Sequence, residues 1–492
     1  MSLTRLIRGG FLLSVLVTSS ASFPNAAQRP APAPDWEAAL GLRTAPDLNP
    51  DPRILEINLE ASLAQVEVSP GQRVEAWTYN GGIPGPLIRL RVGDRLIVHF
   101  TNALPAPTTV HWHGLQLPIQ MDGVPGYSQP EVKTGERFTY DFVVPDAGLY
   151  WYHPHVMSAA QVGFGLYGAI LVDDPSEAIA VPDEHVLVLS DIEVTETGKL
   201  QSPDTGGSTG MAFGREGNII LVNGRKNPRV TVRTGVPQRW RVVNTAKSRF
   251  FQLDAGQGKV FTRIGVDGGL QEYPTELELL VLAPGERADV FVTPRGKPGS
   301  DVVVSHIPFD RGYGSTEARE VEDLLTMVMA DTPAPPPVPL PHVTRRIEPI
   351  PQAGATPVAI EFSITQLRGD EFVYLINGKQ LGKFGPVAAT VGETQLWTIT
   401  NLTPWSHPFH LHGFFFQVLD AKGEPVRPLQ WKDTISVPFK GSLKLIVRYD
   451  DRPGMWMWHC HVLDHADGGL MSTVRLTRPG EAAPNEEHEH HK

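Results

Sequence analysis

The sequence of 492 residues contains a single cysteine, Cys460, which therefore cannot form a disulfide within the chain. Long apolar segments are also missing. The run from Phe11 to Val17 is far shorter than the ~20 residues that a membrane-spanning helix requires. We therefore expect no membrane-spanning segment in the mature protein, and the lone thiol needs a role other than a disulfide.

A surplus of positive charge is likewise absent. The chain carries 43 Lys and Arg against 54 Asp and Glu, a formal net charge of −11, and no basic stripe stands out. This balance argues against a nucleic-acid or anionic-lipid partner. Proline and glycine, by contrast, are abundant at 45 and 47 residues. Their abundance favours many short strands joined by turns, and hence an all-β fold.

The first 27 residues combine two arginines, an apolar stretch and several small residues, and we predict that residues 1–27 form an export signal peptide. Arg5 and Arg8 are not adjacent, so a twin-arginine route is unsupported. Residues 28–52 are rich in proline and are interpreted as a leader into the first folded domain. A periplasmic or secreted location is therefore expected.

An internal repeat organises the rest of the chain. Residues 80–102, 223–244 and 377–401 each contain Asn-Gly, a turn glycine, an alternating segment, and an asparagine nine positions after that glycine. The closing asparagines lie 142 and 157 positions apart, which predicts three related domains. The predicted organisation is a first domain at 53–178, a second at 179–330, a Pro-rich linker at 331–352, a third domain at 353–478 and an acidic, His-containing tail at 479–492.

Histidine placement is the strongest functional signal. Seventeen histidines would give about 0.6 His-x-His pairs by chance, yet the chain has five. One pair lies in the tail segment EHEHHK and is interpreted as part of a solvated end. The other four occur only in the first and third repeats; they are HWH (111–113), HPH (153–155), HLH (410–412) and HCH (459–461).

Strand alternation gives these pairs a common geometry. Residues two apart on a strand point to the same side, so two pairs from one domain facing two from another would bring eight imidazoles together, which suits several borderline-soft metal ions. Cys460, between His459 and His461, would then point to the opposite side. His407 precedes the HLH pair by three positions and shares the parity of the thiol. With His465 it completes two imidazoles and one thiolate, the ligand set of a blue-copper site.

Four motifs in this order, HWHG, WYHPH, HPFHLHG and HCHVLDH, resemble those of the three-domain multicopper oxidases, the laccase family. The resemblance implies three cupredoxin-like Greek-key domains, each a β-sandwich or barrel, and four copper ions. It implies that a type 1 copper is bound by His407, Cys460 and His465. It implies a type 2 copper bound by His111 and His410, and a type 3 pair bound by His113, His153, His155, His412, His459 and His461.

The activity implied by the resemblance is laccase-like. Phenols or aromatic amines would give up four electrons, one at a time, at the type 1 copper, and the three-copper cluster would reduce O2 to two waters. A metal oxidase acting on Cu(I), Fe(II) or Mn(II) in copper tolerance is the second reading. The chain's nine methionines form no methionine-rich run, which weakens the cuprous option. A non-catalytic copper-binding or scaffold protein of the envelope is the third reading. We expect a monomer.

Proton delivery depends on acids near the cluster. Asp122, nine residues after His113 in MDGVP, resembles the family's acid near the type 2 copper and is the proton-relay candidate, although a turn-capping role beside Gly123 is the alternative. Bacterial relatives commonly have an acid directly after the last type 1 histidine, where this chain has Ala466. Asp467, one position further, is the possible substitute.

Two residues compete for the axial position of the type 1 copper. Bacterial relatives usually have a methionine ten residues after the cysteine, but this chain has Leu470 there, with Met471 next to it. A hydrocarbon cannot donate to copper, so an axial Leu470 predicts a higher reduction potential. Asp433, in WKDT, resembles a family-typical residue near the type 1 site, and a turn or supporting role is its other interpretation.

Overall fold

A computed structural model describes residues 40–179, 183–202, 205–256, 260–312, 319–332, 341–367, 369 and 371–481. The predicted signal peptide at 1–27 lies outside the described residues, as do residues 28–39 of the leader. Residues 333–340 of the linker and 482–492 of the tail lie outside them as well.

The first domain is a sandwich of two four-stranded sheets, ordered β2-β1-β4-β6 and β3-β8-β7-β5. Its strands are β1 (Ile54–Ser69), β2 (Gln72–Tyr79), β3 (Ile88–Arg91), β4 (Arg95–Asn102), β5 (His111–His113), β6 (Arg137–Val143), β7 (Gly148–His153) and β8 (Gly168–Asp173). The predicted alternation in β4 is confirmed, because Leu96, Val98 and Phe100 are fully buried in the core between the sheets.

The second domain pairs a six-stranded sheet, ordered β10-β9-β12-β17-β14-β15, with a five-stranded sheet, ordered β11-β19-β18-β13-β16. Its strands are β9 (Asp183–Ile192), β10 (Ile219–Val222), β11 (Arg229–Arg233), β12 (Gln238–Asn244), β13 (Phe251–Asp254), β14 (Phe261–Val266), β15 (Gly269–Leu277), β16 (Leu280–Leu282), β17 (Arg287–Val292), β18 (Asp301–His306) and β19 (Glu322–Ala330). It contains none of the predicted copper ligands.

The third domain consists of two five-stranded sheets, ordered β21-β20-β23-β27-β25 and β22-β29-β28-β24-β26. Its strands are β20 (Thr356–Gln366), β21 (Phe372–Ile376), β22 (Val387–Thr390), β23 (Thr394–Asn401), β24 (His407–Leu411), β25 (Phe416–Leu419), β26 (Thr434–Val437), β27 (Ser442–Arg448), β28 (Gly454–Cys460) and β29 (Met471–Thr477). With two sheets in each of three sandwiches, the all-β prediction is confirmed.

Helices are short and lie between strands. The described residues form α1 (Ser158–Gly163), α2 (Gly207–Phe213), α3 (Leu463–Asp467) and a 3-10 turn at Ile119–Met121. None of these is long and apolar enough to cross a bilayer.

The closing asparagines of the repeat perform the same task in each domain. Asn102, Asn244 and Asn401 are fully buried, and a buried amide needs hydrogen-bond partners. Each side-chain Nδ2 donates to a carbonyl four or five residues later. The acceptors are Ala106, Arg249 and Trp405, at 2.9, 2.8 and 2.8 Å. The recurring sequence pattern therefore reflects a recurring loop anchor.

The leader is more than an approach to the first domain. Leu40 is buried in the core of the second domain, and its carbonyl accepts a 2.6 Å hydrogen bond from Asn223 Nδ2. Three residues later, the carbonyl of Arg43 accepts a 2.7 Å hydrogen bond from the backbone of Leu87 in the first domain. The described end of the leader thus contacts both the first and the second domain.

Candidate metal centre

The histidine pairs of the first domain lie on one sheet face. On β5 and β7, His111 is opposite His153 and Trp112 is opposite Tyr152. Trp112 and Tyr152 are fully buried in the core of the domain, so the histidines point to the other side, as alternation predicts. Pro154 ends the ladder because it has no N–H to donate, and His155 lies just beyond it.

The third domain presents its pairs in the same way. On β24 and β28, His410 is opposite His459 and Phe409 is opposite Cys460. The prediction that each pair lies wholly on a strand is correct only for HWH, since His412 and His461 directly follow the last residues of these strands. Parity is nevertheless kept across the strand ends.

Eight imidazoles from the two domains meet in one cluster, and seven of them are essentially inaccessible. Rings from opposite domains stack, with centroid separations of 4.0 Å for His111 and His412 and 3.8 Å for His113 and His410. Two triads surround these stacks. The triads are His113, His153 and His461, with centroids 4.9 to 5.9 Å apart, and His155, His412 and His459, with centroids 5.1 to 5.2 Å apart.

Hydrogen bonds fix which nitrogen of each ring is available. His459 Nδ1 donates to the carbonyl of Cys460 at 2.8 Å, and His412 Nδ1 donates to the Asp122 carboxylate at 2.9 Å. Both Nε2 atoms are then acceptors, yet they face each other at 3.1 Å. Two lone pairs at this distance repel unless an electrophile lies between them. The arrangement therefore fits a metal ion.

The other rings also have a buried nitrogen without a hydrogen-bond partner. These atoms are Nε2 of His111, His153, His155 and His410, Nδ1 of His113, and both ring nitrogens of His461. Orphaned buried polar atoms are rare in native proteins and call for a missing partner. Several sets of three donor atoms lie within 4.8 Å of one another, including His155, His412 and His459. The donor set therefore suits borderline-soft ions such as copper.

Burial keeps the imidazoles in the form that binds metals. Desolvation of the charged state lowers the pKa of His155 to about 3 and holds the pKa of His153, His412 and His461 well below the usual value. These four rings are thus neutral at pH 7, with one lone pair each to donate.

Asp122 joins the cluster from the loop after the 3-10 turn. Its Oδ2 lies 2.9 Å from His412 Nδ1, its Oδ1 lies 3.4 Å from His111 Nδ1, and its backbone carbonyl accepts from His111 Nδ1 at 2.7 Å. Burial raises the pKa of this carboxyl, but the two imidazoles outweigh that effect and the pKa is lowered. Gly123 is required beside it, because a Cβ there would lie 1.9 Å from the Val110 carbonyl oxygen.

Asp433 has the supporting role that was its other interpretation, but it supports the histidine cluster, and its expected place near the predicted type 1 ligands was wrong. Its Oδ1 accepts from His113 Nε2 at 3.2 Å, and its carbonyl accepts from His410 Nδ1 at 3.0 Å. Thr434 Oγ1 also lies 3.1 Å from His113 Nε2. Asp433 directly precedes β26, which pairs with β24 and so brings the acid to these rings.

The thiol lies on the opposite side of β28. Cys460 Sγ is 3.3 Å from His407 Nδ1 and 3.6 Å from His465 Nδ1, and the two nitrogens are 3.1 Å apart. All three residues are fully buried. Thr403 Oγ1 accepts from His407 Nε2 at 2.7 Å, which leaves Nδ1 as the free acceptor. This near-equilateral set matches the predicted trigonal ligands.

Burial acts on the two kinds of ligand in opposite directions. In the metal-free protein it raises the pKa of the Cys460 thiol far above its usual value and lowers the pKa of His407 to about 3. A thiolate in this site therefore requires a cation to compensate its charge.

The register of β28 and β29 distinguishes the two axial candidates. His459 is opposite Met471, so Met471 shares the side of the sheet on which the histidine cluster lies. The Leu470 carbonyl accepts a hydrogen bond from the Cys460 N–H at 3.0 Å. Leu470 is fully buried and belongs, with Cys460, to the hydrophobic core of the third domain. Alternation thus favours Leu470 over Met471 as the residue next to the thiol.

Asp467 is exposed and anchors two domains together. Its carboxylate accepts the backbone N–H groups of Ser158 and Ala159, at 3.3 and 2.9 Å, at the start of α1. Its proposed part in proton delivery stays a prediction. Asp464, in the same helix, is fully buried and accepts hydrogen bonds from Arg215 and Ser248 of the second domain. His465 is thus held between anchors to both other domains.

Helix α2 of the second domain covers the thiol site. Tyr374 packs on the His465 ring with centroids 4.8 Å apart, and its hydroxyl donates to the Ala212 carbonyl at 2.7 Å. Phe213 packs on Trp405, with centroids 5.0 Å apart. No surface of His407 or His465 is accessible to solvent in this arrangement.

Several residues that support the ligands were not predicted from the sequence. Thr403 lies in a turn motif that suggested only the repeat, and Arg215 has no local signal at all. Arg287, which pairs with Asp433, is 146 positions away from it in the chain. Only the tertiary pairing shows these contacts.

Comparison with known proteins gives a consistent match. Three family models described as multicopper oxidase match residues 60–177, 183–319 and 355–479. The chain is 30% identical over 467 residues to the multicopper oxidase MmcO of Mycobacterium tuberculosis, covering 86% of this chain and 87% of that protein. It is 28% identical over 473 residues to a laccase of Bacillus subtilis, covering 82% and 90%. The multicopper oxidase of Campylobacter jejuni, described as a metallo-oxidase, has a similar solved structure, with a TM-score of 0.78 and 27% identity over 89% of this chain and 94% of that one.

Proposed function

The chain belongs to the multicopper oxidase family, and from this premise we propose that it is a laccase-type enzyme that couples four one-electron oxidations of phenols or aromatic amines to the reduction of O2 to two waters. The predicted resemblance and the cupredoxin-like fold are confirmed. The protein is a copper-dependent oxidoreductase, and its family oxidises phenols or metal ions with O2. Membership of this family disfavours the non-catalytic alternative.

The proposal assigns two metal sites to the two sides of β28. His407, Cys460 and His465 would bind a type 1 copper. The cluster would bind three more ions, with His111 and His410 on the type 2 copper and the two triads on the type 3 pair. The observation that carries this assignment is the position of Cys460, whose sulfur lies 3.3 Å from His407 while the adjacent His459 lies 3.1 Å from His412.

Copper, when bound, would supply reversible one-electron chemistry at the thiol site and four-electron reduction of O2 at the cluster. The chain itself supplies the connection between them. Cys460 is bonded through the backbone to His459 and His461, and its carbonyl also accepts from His459 Nδ1 at 2.8 Å. These few bonds form the shortest covalent route from the sulfur to either triad.

Asp122 is the acid best placed to move protons at the cluster. It is buried and bonded to one ring of the proposed type 2 site and one of the proposed type 3 site. It holds the Nδ1 proton on both rings and thereby directs each Nε2 towards the metal. Asp467 remains the second candidate for proton delivery.

Oxygen uptake with different reductants tests the substrate class. We expect copper-loaded protein to consume one O2 for every four equivalents of 2,6-dimethoxyphenol or p-phenylenediamine oxidised, without releasing hydrogen peroxide. Outer-sphere electron transfer requires only a short distance to the thiol site, so the cover formed by α2 slows such substrates without excluding them. Uptake with Cu(I), Fe(II) or Mn(II) alone would contradict the proposed substrate class.

A metal oxidase is the second candidate, and the cover over the thiol site favours it. Neither His407 nor His465 is exposed, so an aromatic ring cannot stack directly on these ligands, whereas a small cation needs less room. The Campylobacter jejuni relative is described as a metallo-oxidase. The same oxygen-uptake series decides between the two candidates.

Replacing Leu470 by methionine should lower the reduction potential of the type 1 copper by on the order of 59 mV, a tenfold change in a one-electron equilibrium. A thioether beside the thiol can donate to the oxidised ion, whereas the leucine side chain cannot. Redox titration of the blue absorbance measures the shift. Met471→Leu is the matched control and should leave the potential unchanged, because Met471 lies opposite His459. A shift confined to the control would show that the axial assignment is reversed.

We also propose that the protein works outside the cytoplasm, in the periplasm or after secretion. The support is the charged and apolar signal pattern of residues 1–27.

A further inference from the structure

Arg287 opens β17 in the second domain, which contributes none of the proposed copper ligands. Its side chain is fully buried, and its guanidinium forms a two-pronged contact with Asp433 of the third domain. The Nη1 to Oδ1 distance is 2.7 Å and the Nη2 to Oδ2 distance is 2.5 Å. Such bidentate pairs fix the plane and the rotation of a carboxylate as well as its charge.

Every remaining N–H group of Arg287 is also bonded. Nε donates to the carbonyl of Leu149 at 3.0 Å, Nη1 to that of Gly285 at 3.1 Å and Nη2 to that of Asp267 at 3.0 Å. These acceptors come from the first and second domains. With five N–H groups and five acceptors, the guanidinium has one orientation available to it.

Asp433 passes this orientation on to two rings of the cluster. Its Oδ1 accepts from His113 Nε2 at 3.2 Å, and its carbonyl accepts from His410 Nδ1 at 3.0 Å. The remaining nitrogens, His113 Nδ1 and His410 Nε2, are the atoms left without partners. The stacked pair of rings, 3.8 Å apart, is therefore aligned by one carboxylate residue.

Further charged groups of the second and third domains surround this contact. Asp267 lies 3.7 Å from Arg287 Nη1 and also contacts Lys432, whose Nζ is 3.1 Å from Asp267 and 3.1 Å from Glu286. Removing the guanidinium would leave Asp433 in a buried site without its main counter-charge.

Two glycines show how tightly this contact packs against the cluster. A Cβ at Gly114, the glycine of HWHG, would lie 2.3 Å from Arg287 Nη2. A Cβ at Gly285 would lie 3.0 Å from His461 Cδ2 and 3.1 Å from His113 Cε1. The backbone at Gly285, just before Arg287, therefore packs directly against rings of the cluster.

We infer that Arg287 is a positioning residue for the copper cluster: through Asp433 it holds His113 and His410 in the orientation and tautomer that bind metal, which gives the second domain a part in the cluster. The inference rests on the proposed copper sites. Replacing Arg287 should therefore affect the three-copper cluster and leave the type 1 copper unchanged.

The test compares Arg287→Lys and Arg287→Met with wild type, all as copper-loaded full chains. We expect both variants to keep the blue absorbance of the type 1 copper. A chelator should remove their type 2 copper more readily than that of wild type. We expect the affinity for this ion to fall about 10- to 100-fold, which is typical when groups that orient metal ligands are removed. Copper content per chain and the type 2 electron paramagnetic resonance signal are the readouts. Lysine retains the charge without the fork, so Arg287→Lys decides the test if Arg287→Met does not fold.

Arg239→Met is the matched control. Arg239 is equally buried in the second domain and forms the same kind of pair with Asp289, at 3.0 and 2.6 Å. Its described partners include no histidine. We expect it to lower thermal stability while leaving the type 2 signal unchanged. A normal type 2 signal and normal retention in Arg287→Lys would overturn the inference. Absence of these signals from wild type would instead refute the proposed copper sites.

Discussion

Replacing Cys460 by serine should abolish the intense visible absorbance of the copper-loaded protein and lower O2 consumption about a thousandfold, which corresponds to ~4 kcal/mol of activation free energy. Cys460 is the only cysteine in the chain, and its sulfur forms one corner of the ligand triangle with His407 and His465. A serine hydroxyl of similar size cannot provide a soft thiolate ligand. Absorbance spectroscopy and oxygen uptake measure the two effects.

The three-copper cluster provides the internal check on this variant. Because its imidazoles lie on the other side of β28, Cys460→Ser should retain the type 2 electron paramagnetic resonance signal. Met457→Leu alters a buried residue of the same strand, and this control should keep both colour and activity. Blue absorbance persisting without the sulfur would refute the assignment of Cys460 to the type 1 copper. Loss of both the blue absorbance and the type 2 signal would show that the thiol and the histidine cluster belong to one metal site, not to two separate sites.

Alternation along a strand made the centre of the site predictable from the sequence. A period of two places His459 and Cys460 on opposite sides whatever the rest of the fold does, and the structure agrees. The repeat was predictable for a similar reason, since buried asparagines such as Asn102 and Asn401 perform a local task that requires one residue type. Both inferences depend only on neighbours in sequence.

Contacts between distant segments were not predictable in this way. Asp433 was expected near the type 1 ligands, because its position along the chain does not reveal that β26 pairs with β24 beside His410. The helix α2 that covers the thiol site was also not predicted. Gly207–Phe213 contains three glycine or serine residues, which are poor helix formers, and its apolar residues show no helical periodicity. In both cases tertiary packing determines the outcome.

Replacing Asp122 by asparagine should leave the blue absorbance unchanged and slow O2 consumption about 100-fold, within the range seen when a proton-transfer group is removed. Asparagine has nearly the same shape but cannot carry a negative charge or deliver a proton. The carboxylate lies 2.9 Å from His412 Nδ1 and 3.4 Å from His111 Nδ1. The rate at which O2 restores the colour of the reduced protein isolates this step from oxidation of the phenol.

Asp94→Asn is the control for this variant, because Asp94 is another buried acid of the first domain and its partners are the Arg91 backbone N–H and the Arg53 side chain, not histidines. Recovery of colour at the wild-type rate in Asp122→Asn would refute a proton role and leave the turn-capping alternative. If the variant instead loses copper, orientation of His111 and His412 is the main task of the acid. Slow recovery with full copper content is the result that proton delivery predicts, since the ligands would then be in place.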